Sequence, residues 1–500
     1  MSIEKLLWSQ DATGLAGLVH SGEVEPRELV DAAIARAERV NPNINAIATP
    51  LFDRAREMAT KVDRAAPLAG VPFALKDLGI AVKGVPTHHG SRVPPFTPDF
   101  DSVLTERYAA AGLIPIAMST TPEFGLRLMT ESAAFGATRN PWNTGHTSGG
   151  SSGGAAALVA AGIVPVAHAS DGGGSIRVPS ATTGLVGMKV SRGRIPSTPL
   201  ASESWFGFVV DHAVTRSVRD SALLLDLTHG PDQLAPYEAR PPRMGTFAEA
   251  AARDPGRLTI GVYRDSTLGL EVSAETGTAL DRAIDLAREA GHMIEEIDLP
   301  MIDRAFMADF CRVVAASISG LLRVQAARNG RALLPDLERS TRLIARLGQI
   351  IPAGELYETL ERLHAASRAL ITHTARFDAV LMPIIAHPPL AVGAMDAKGA
   401  DEFVEKALDT LRLTRLLRIE GLFGQLMDKS LWFTHWPAIQ NVTGQPALAL
   451  PVHVTAEGLP LGIQAVGRPG DEETLFSLAA QMERQSGWLE RRAPLMVPEG

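Results

Sequence analysis

Apolar positions along the chain switch between a helical period and short continuous runs, which predicts alternating helices and strands. A helical period covers residues 26 to about 64, and the apolar run in "APLAGVPFALKDLG" then predicts a buried strand. "SVLTERYAAAGLIPIAM" predicts a helix followed by a strand. Further on, "RLTIGVYRD", "ETGTALDRAIDLAREAG" and "HMIEEIDLP" predict a β-α-β unit whose helix ends at Gly291. This alternation is typical of an α/β layered fold.

The second half of the chain favours helices before it returns to strands. Residues 302–376 and 402–428 carry charge on one side of a helical period and Leu, Ile and Ala on the other, whereas "FDAVLMPII" and "ALALPVHV" predict strands. Because we find no fixed-period repeat and no long linker, we predict one domain over residues 1–500. We divide it into N-terminal helices (1–65), a core that carries the candidate chemistry (66–230), a helical elaboration that shapes a pocket (246–430) and a C-terminal return to the core (431–490).

Composition narrows the classes of function. The chain has 500 residues, a formal net charge of −8 and a pI near 5.9, so it lacks the basic excess typical of nucleic-acid binding. Its one cysteine, Cys311, excludes an internal disulfide framework and argues against a structural zinc site. The N-terminus does not resemble a secretory signal, and the longest weakly polar run, residues 153–167, is too short to span a bilayer. We therefore expect a cytoplasmic protein with no nucleic-acid or membrane partner.

A glycine- and serine-rich stretch, "TSGGSSGGAAALVAAG" at residues 147–162, is the first candidate for chemistry. A flexible linker is out of place in a core-rich region, and a phosphate loop would need a lysine that is absent here. Residues 150–154 formally match the Gly-x-Ser-x-Gly nucleophile elbow, but the elbow needs a strand directly before its serine, and "NPWNTGHTSG" predicts turns. We favour a loop that caps a helix with Ser151 or Ser152, where free backbone N–H groups favour negative charge.

A second serine follows three glycines in "HASDGGGSIRVPS". Glycines allow consecutive N–H groups to point at one oxyanion, so Ser175 is a candidate nucleophile that needs a base. His168 is nearby in sequence, although most such histidines are structural. Lys76 lies in an apolar run where burial would lower its pKa and leave a neutral amine that can act as a base, and the alternative is a simple ion pair with Asp77 at the end of the strand.

Three motifs together resemble the amidase signature family of serine hydrolases. They are "GVPFALKD", which contains Lys76, the loop "GGSSGG", and "GGGSIRVPS". Similarity to the family extends over about residues 65–220 and 430–485. The resemblance implies an α/β fold in which helices cover both faces of a large, mixed, twisted β-sheet.

The resemblance also implies roles for individual residues. Ser175 would be the acyl-forming nucleophile, Ser151 a bridging serine that follows a cis peptide bond, and Lys76 the base. The family uses no metal and no cofactor, so we expect none here.

Backbone groups have implied roles as well. The oxyanion hole would consist of the N–H groups of Gly172, Gly173, Gly174 and Ser175. The carbonyl group of Gly125 would contact the substrate.

The expected reaction is hydrolysis of the carbon–nitrogen bond of a small or hydrophobic amide, and the quoted phrases favour family members that act on nylon-type oligomers. Two alternatives are a urethanase that cleaves carbamates and the amidase subunit of a tRNA-dependent amidotransferase. The expected partner is a small-molecule amide, and the sequence leaves a homodimer open. Aromatic residues of the helical half could form pocket walls or plain core: Phe306, Phe310, Trp432, Phe433 and Trp436.

Overall fold

Eleven strands form one mixed β-sheet in the computed structural model, which describes residues 2–243 and 245–497. Their order in the sheet is β1-β3-β2-β8-β10-β9-β14-β15-β13-β11-β12, and the remaining four strands form two separate pairs, β4 with β5 and β6 with β7. The strands are β1 (Ile47–Pro50), β2 (Pro72–Lys76), β3 (Ile114–Ser119), β4 (Glu131–Ser132), β5 (Gly136–Ala137), β6 (Arg139–Asn140), β7 (Asn143–Thr147), β8 (Val166–Asp171), β9 (Val186–Lys189), β10 (Val210–Thr215), β11 (Thr259–Val262), β12 (Met293–Glu296), β13 (Ala379–Pro383), β14 (Ala447–Val454) and β15 (Pro460–Gly467).

Helices cover the sheet on both faces. β8, β10 and β15 are buried at every position, which requires cover on either side because successive side chains point to opposite faces. The α-helices are α1 (Ile3–Ser9), α2 (Ala12–His20), α3 (Pro26–Ile44), α4 (Phe52–Ala59), α5 (Val103–Ala110), α6 (Gly153–Ala160), α7 (Arg177–Thr183), α8 (Val218–Thr228), α9 (Phe247–Ala252), α10 (Ala274–Glu289), α11 (Arg304–Asn329), α12 (Arg339–Gln349), α13 (Ala353–Thr374), α14 (Ala400–Thr410), α15 (Glu420–Leu431), α16 (Trp436–Thr443) and α17 (Glu472–Ser486). The predicted α/β class with a large mixed sheet is confirmed.

The predicted β-α-β unit is present as β11, α10 and β12. β11 pairs in parallel with β12, and the Ser273 side chain caps the start of α10 by accepting from the Thr276 N–H. Gly291 follows the helix with φ of 86°, a left-handed conformation that glycine adopts without steric cost. The helical interpretation of residues 302–376 and 402–428 agrees with α11 to α15.

Two expectations about local structure were wrong. The helical period assigned to residues 26 to 64 is interrupted by β1, because Asn45 (φ 52°) ends α3 and the Asn41 side chain accepts from the Ala46 N–H, which turns the chain toward β3. The stretch "NPWNTGHTSG", expected to contain only turns, includes β7. Both strands are short. β1 depends on pairing with the distant β3, and β7 depends on a tight hairpin with β6. The periodicity of a sequence does not reveal such pairing.

One helix in the described residues, α11, is long and apolar enough to span a membrane by length and composition. It packs against α12 and α13, and half of its most apolar window is buried inside the structure. Core helices of globular proteins share this composition.

Candidate active site

Lys76 ends a central strand and points into the protein. β2 lies between β3 and β8, all five of its residues are buried, and the Lys76 side chain is fully enclosed. Lys76 Nζ lies 2.8 Å from Ser151 Oγ and 3.0 Å from Ser170 Oγ. The alternative of an ion pair with Asp77 finds no support, since the Asp77 carboxylate accepts from the His88 N–H and no bond to Lys76 is present among the described residues.

Burial makes this lysine a usable base. Removal from water lowers the pKa of Lys76 to about 7, although the negative charges of Asp211 and Asp171 oppose the shift. At neutral pH a large fraction of the amine is therefore uncharged, with a lone pair available to a hydroxyl 2.8 Å away. A lysine at its ordinary pKa would be almost wholly protonated at that pH.

Ser151 lies just before α6, in a loop whose backbone packs closely against neighbouring backbone. The Gly150–Ser151 peptide bond is cis, as the family resemblance implies, and Ser152 is the N-cap residue of α6. A Cβ atom on Gly125 would lie 3.1 Å from Ser151 Oγ, so the Gly125 backbone adjoins the bridging position. β7 ends four residues before Ser151 and belongs to a separate two-stranded sheet, so it does not create a nucleophile elbow.

Ser175 lies beside the Ser151 loop. The Ser152 N–H donates to the Ser175 carbonyl oxygen over 3.2 Å, which ties the two serine loops together through the backbone. In the described part of the chain, no hydrogen bond joins the hydroxyls of Ser151 and Ser175. The Ser175 hydroxyl is not among the fully buried unpaired polar atoms, and the residue keeps 5% of its surface exposed, so the oxygen borders accessible space.

A buried ion pair shapes the glycine loop. Arg177 donates from Nε and Nη2 to both carboxylate oxygens of Asp171 at 2.9 Å, and from Nη1 to Gln440 and Gln464. Burial by itself would raise the pKa of Asp171, but the Arg177 guanidinium holds it well below its usual range. This agrees with the interpretation of Asp171 and Arg177 as structural charges that position the loop.

The ion pair also changes the expected oxyanion hole. The Gly174 N–H donates to Asp171 Oδ1 over 2.7 Å, so its hydrogen points into the carboxylate and not toward a substrate oxygen. We therefore correct the expected donor set by removing Gly174. Gly172, Gly173 and Ser175 stay as predicted donors.

Three residues near the site escaped the sequence analysis. Ser170 contacts Lys76, Asn441 donates to both the carbonyl and the carboxylate of Asp171, and the ring of Trp205 lies against Gly172. Alternation along β8 could have revealed Ser170, which points to the same face as His168. No sequence signal connects Asn441 or Trp205 to the site, since both reach it only through folding.

His168 makes hydrogen bonds that position neighbouring groups. The Lys76 N–H donates to His168 Nδ1 over 3.2 Å, and His168 Nε2 lies 3.3 Å from Asp211 Oδ1. This agrees with the structural interpretation of His168. The described residues contain no group of three or more His, Cys, Asp or Glu side chains arranged to hold a metal ion.

Most of the aromatic residues considered as pocket walls lie in the apolar core. Phe306, Phe433 and Trp436 are buried in the apolar cores, and Trp432 is half-buried. Phe310 is also buried in the apolar core, and its ring lies 3.1 Å from where a Cβ atom of Gly173 would be.

The site places a buried lysine against Ser151 and next to the loop of Ser175, and comparison with known proteins identifies the family. The chain belongs to the amidase family, whose profile, described as Amidase, matches residues 28–476. It is 34% identical to the 6-aminohexanoate-cyclic-dimer hydrolase of Pseudomonas sp. (strain NK87), with 98% of each chain covered. It is equally identical, at the same coverage, to the putative amidase AmiC of Mycobacterium bovis.

Solved structures support the same assignment. A structure of 6-aminohexanoate cyclic dimer hydrolase superposes with a TM-score of 0.86 at 30% identity and covers 98% of this chain and 99% of its own. A bacterial aryl acylamidase of the amidase signature family gives 0.84 at 26% identity, covering 96% and 97%. The resemblance to the amidase signature family is confirmed, and the protein is an enzyme that hydrolyses amide bonds.

Proposed function

We propose that amide hydrolysis in this protein proceeds through an acyl-enzyme on Ser175, with Ser151 and Lys76 as a proton relay. The observation that carries the proposal is the 2.8 Å distance between Lys76 Nζ and Ser151 Oγ. Burial lowers the pKa of this amine to about 7. A hydroxyl is a weak nucleophile until a base takes its proton, and this amine is the base closest to the serines.

In the first half-reaction, Ser175 Oγ attacks the amide carbonyl carbon. Its proton passes to Ser151 Oγ as Ser151 passes its own proton to neutral Lys76, so no net charge appears on either serine. The Ser175 hydroxyl must turn toward Ser151 for this transfer, and catalytic hydrogen bonds commonly form only when substrate is bound. The oxyanion accepts hydrogen bonds from the N–H groups of Gly172, Gly173 and Ser175.

The relay then reverses to complete the reaction. Lys76 returns a proton through Ser151 to the amine nitrogen, the carbon–nitrogen bond breaks, and the neutral amine leaves. Water attacks the ester carbon of the acyl-enzyme and gives its proton to the relay, which protonates Ser175 as the ester bond breaks. The products are a carboxylic acid and the amine.

We propose a small or hydrophobic uncharged amide as substrate, with a nylon-type cyclic oligomer as the first candidate. Similarity to 6-aminohexanoate cyclic dimer hydrolases over almost the whole chain supports this candidate. The bacterial aryl acylamidase supports anilides as the second candidate. Both classes fit a site whose neighbouring rings, Trp205 and Phe310, carry no charge.

A four-substrate comparison tests the proposed substrate class. Purified protein is supplied with 6-aminohexanoate cyclic dimer, a hydrophobic anilide, an aryl carbamate and glutamine, and release of amine or ammonia is measured. We expect kcat/KM to be highest for the cyclic dimer or the anilide. Preference for glutamine would instead favour an amidotransferase subunit, and preference for the carbamate a urethanase.

The pH dependence of the reaction should report the charge of Lys76. Protonation removes the lone pair that accepts the serine proton, so kcat/KM should be constant near pH 8 and fall about tenfold per pH unit well below pH 7. The measurement is kcat/KM between pH 5 and 9 with an anilide that does not ionise in this range. Samples held at pH 5 and assayed at pH 8 control for unfolding, and a flat profile from pH 5 to 8 would exclude a lysine base.

A further inference from the structure

Two aromatic rings lie directly against the glycine loop that precedes Ser175. A Cβ atom on Gly172 would lie 2.9 Å from Trp205 Cζ3, and a Cβ atom on Gly173 would lie 3.1 Å from Phe310 Cζ. Real Cβ atoms are rarely this close to a ring, so the approach depends on glycine at both positions. We name Trp205 and Phe310 the aromatic wall.

Trp205 reaches the loop through an uncommon backbone conformation. Trp205, Phe206 and Gly207 have successive φ values of 52°, 54° and 78°, which are in the left-handed region. This conformation has a steric cost for large L-residues, so it persists only where the surrounding structure holds it. Such residues are often found at functional sites.

Two side chains donate hydrogen bonds to backbone carbonyls at the end of this turn. Arg192 Nε donates to the Gly207 carbonyl over 2.7 Å, and Asn441 Nδ2 donates to the Phe208 carbonyl over 2.9 Å. Asn441 also donates to Asp171, the residue that shapes the glycine loop. The position of the Trp205 ring is therefore coupled to the loop that carries the nucleophile.

Phe310 completes the wall from the helical half of the protein. It lies on α11 and stacks on Phe208, with ring centroids 6.2 Å apart and planes at 19°. Trp205 is half-buried and packs on the apolar cluster that contains Phe124, one residue before Gly125.

Two charged side chains close to the wall already have hydrogen-bond partners. Arg192 donates to backbone carbonyls of Gly207, Asn441 and Val442, and Asp171 is bound by Arg177. A charged acyl chain on this surface would lose hydration, whereas an apolar chain would gain contact with the exposed part of the Trp205 ring.

We propose that Trp205 is a specificity-determining residue that binds the apolar acyl chain of the substrate beside the scissile carbonyl. This inference rests on the proposed function of Ser175. The acyl group is bonded to Ser175 from the attack in the first half-reaction until water breaks the ester in the second, so a ring fixed against the same loop can contact it during that time. The wall selects uncharged acyl chains of several carbons over short or charged ones.

The test compares two anilides with the same leaving group, one with a hexanoyl and one with an acetyl chain. Trp205→Ala should lower kcat/KM for the hexanoyl anilide by at least about tenfold, mainly through KM, because its additional methylenes lose their contact. For the acetyl anilide kcat/KM should fall by a smaller factor, since that chain is too short to cover the ring, so the ratio of the two values reports the contact with the longer chain. Trp205→Phe should keep most of the preference for the longer chain.

Trp142→Ala is the matched control, because Trp142 is also half-buried but donates to the Thr183 carbonyl at the end of α7. It should leave the ratio of the two kcat/KM values unchanged. If Trp205→Ala does not fold, Trp205→Leu replaces it, with the same loss of preference expected. An equal loss on both anilides, or an unchanged ratio, overturns the role of Trp205, whereas wild-type protein that cleaves no amide overturns the proposed function instead.

Discussion

Replacing Ser175 with alanine should reduce amide hydrolysis by at least about 10⁴-fold, because the variant has no oxygen that can form the acyl bond. The same change should leave the thermal midpoint close to that of the wild type, since the Ser175 hydroxyl has no hydrogen-bond partner among the described residues. The measurement is amine release by purified Ser175→Ala protein at substrate concentrations above the wild-type KM. We also expect wild-type protein, but not the variant, to gain the mass of one acyl group when a slowly hydrolysed carbamate is added.

Ser180→Ala is the matched control for this change. Ser180 is the other serine of the "GGGSIRVPS" motif, is fully buried, and donates to the Ile176 carbonyl within α7. Its removal should affect stability slightly and leave turnover near the wild-type rate. Residual activity of Ser175→Ala within tenfold of wild type would mean that another group attacks the carbonyl.

Lys76→Met should lower kcat by about 10²–10⁴-fold, the usual contribution of a positioned general base. Methionine fills a similar volume but has no lone pair that can accept the Ser151 proton. The remaining activity should also lose the fall in rate below pH 7 that we predict for the wild type, because the titrating amine is gone. Steady-state kinetics at pH 6, 7 and 8 measure both effects together.

Lys76→Met should also be more stable than the wild type, because the native state lowers the pKa of this lysine. The folded pKa of Lys76 is about 7 and its ordinary value is 10.5, so between these pH values the unfolded chain binds the extra proton and the native state is disfavoured. That penalty grows as pH falls from 10.5 to 7 and is removed by methionine. Urea midpoints should therefore show a larger gain for Lys76→Met at pH 7 than at pH 10.

Lys189→Met distinguishes a catalytic lysine from a buried one. Lys189 is also fully buried, and burial lowers its pKa well below the ordinary value, but its Nζ donates to the carbonyls of Val190 and Gln445. This variant should keep kcat, because the two partners of Lys189 are backbone carbonyls and neither is a serine of the proposed relay. A Lys76→Met enzyme as active as Lys189→Met would contradict the proposed relay.

Local patterns in the sequence predicted most regular elements because those elements have strong periods or caps. The buried run of β2, the β-α-β unit whose helix stops before Gly291, and the long helices α11 to α13 were all predicted correctly. The errors at β1 and β7 involve strands of four and five residues. Such short strands exist because a partner strand completes their hydrogen bonds, and their own residues carry little preference.

The sequence by itself determined the family and the three side chains proposed for chemistry, since glycine-rich motifs around Lys76, Ser151 and Ser175 are local and specific. Only the tertiary structure decided that Lys76 contacts Ser151 and not Asp77, that Gly174 donates to Asp171, and that Trp205 lies on the glycine loop. These outcomes depend on burial and on contacts between residues far apart in the chain. Burial sets the pKa of an amine, and packing sets which N–H groups stay free, so neither property can be derived from neighbours in sequence.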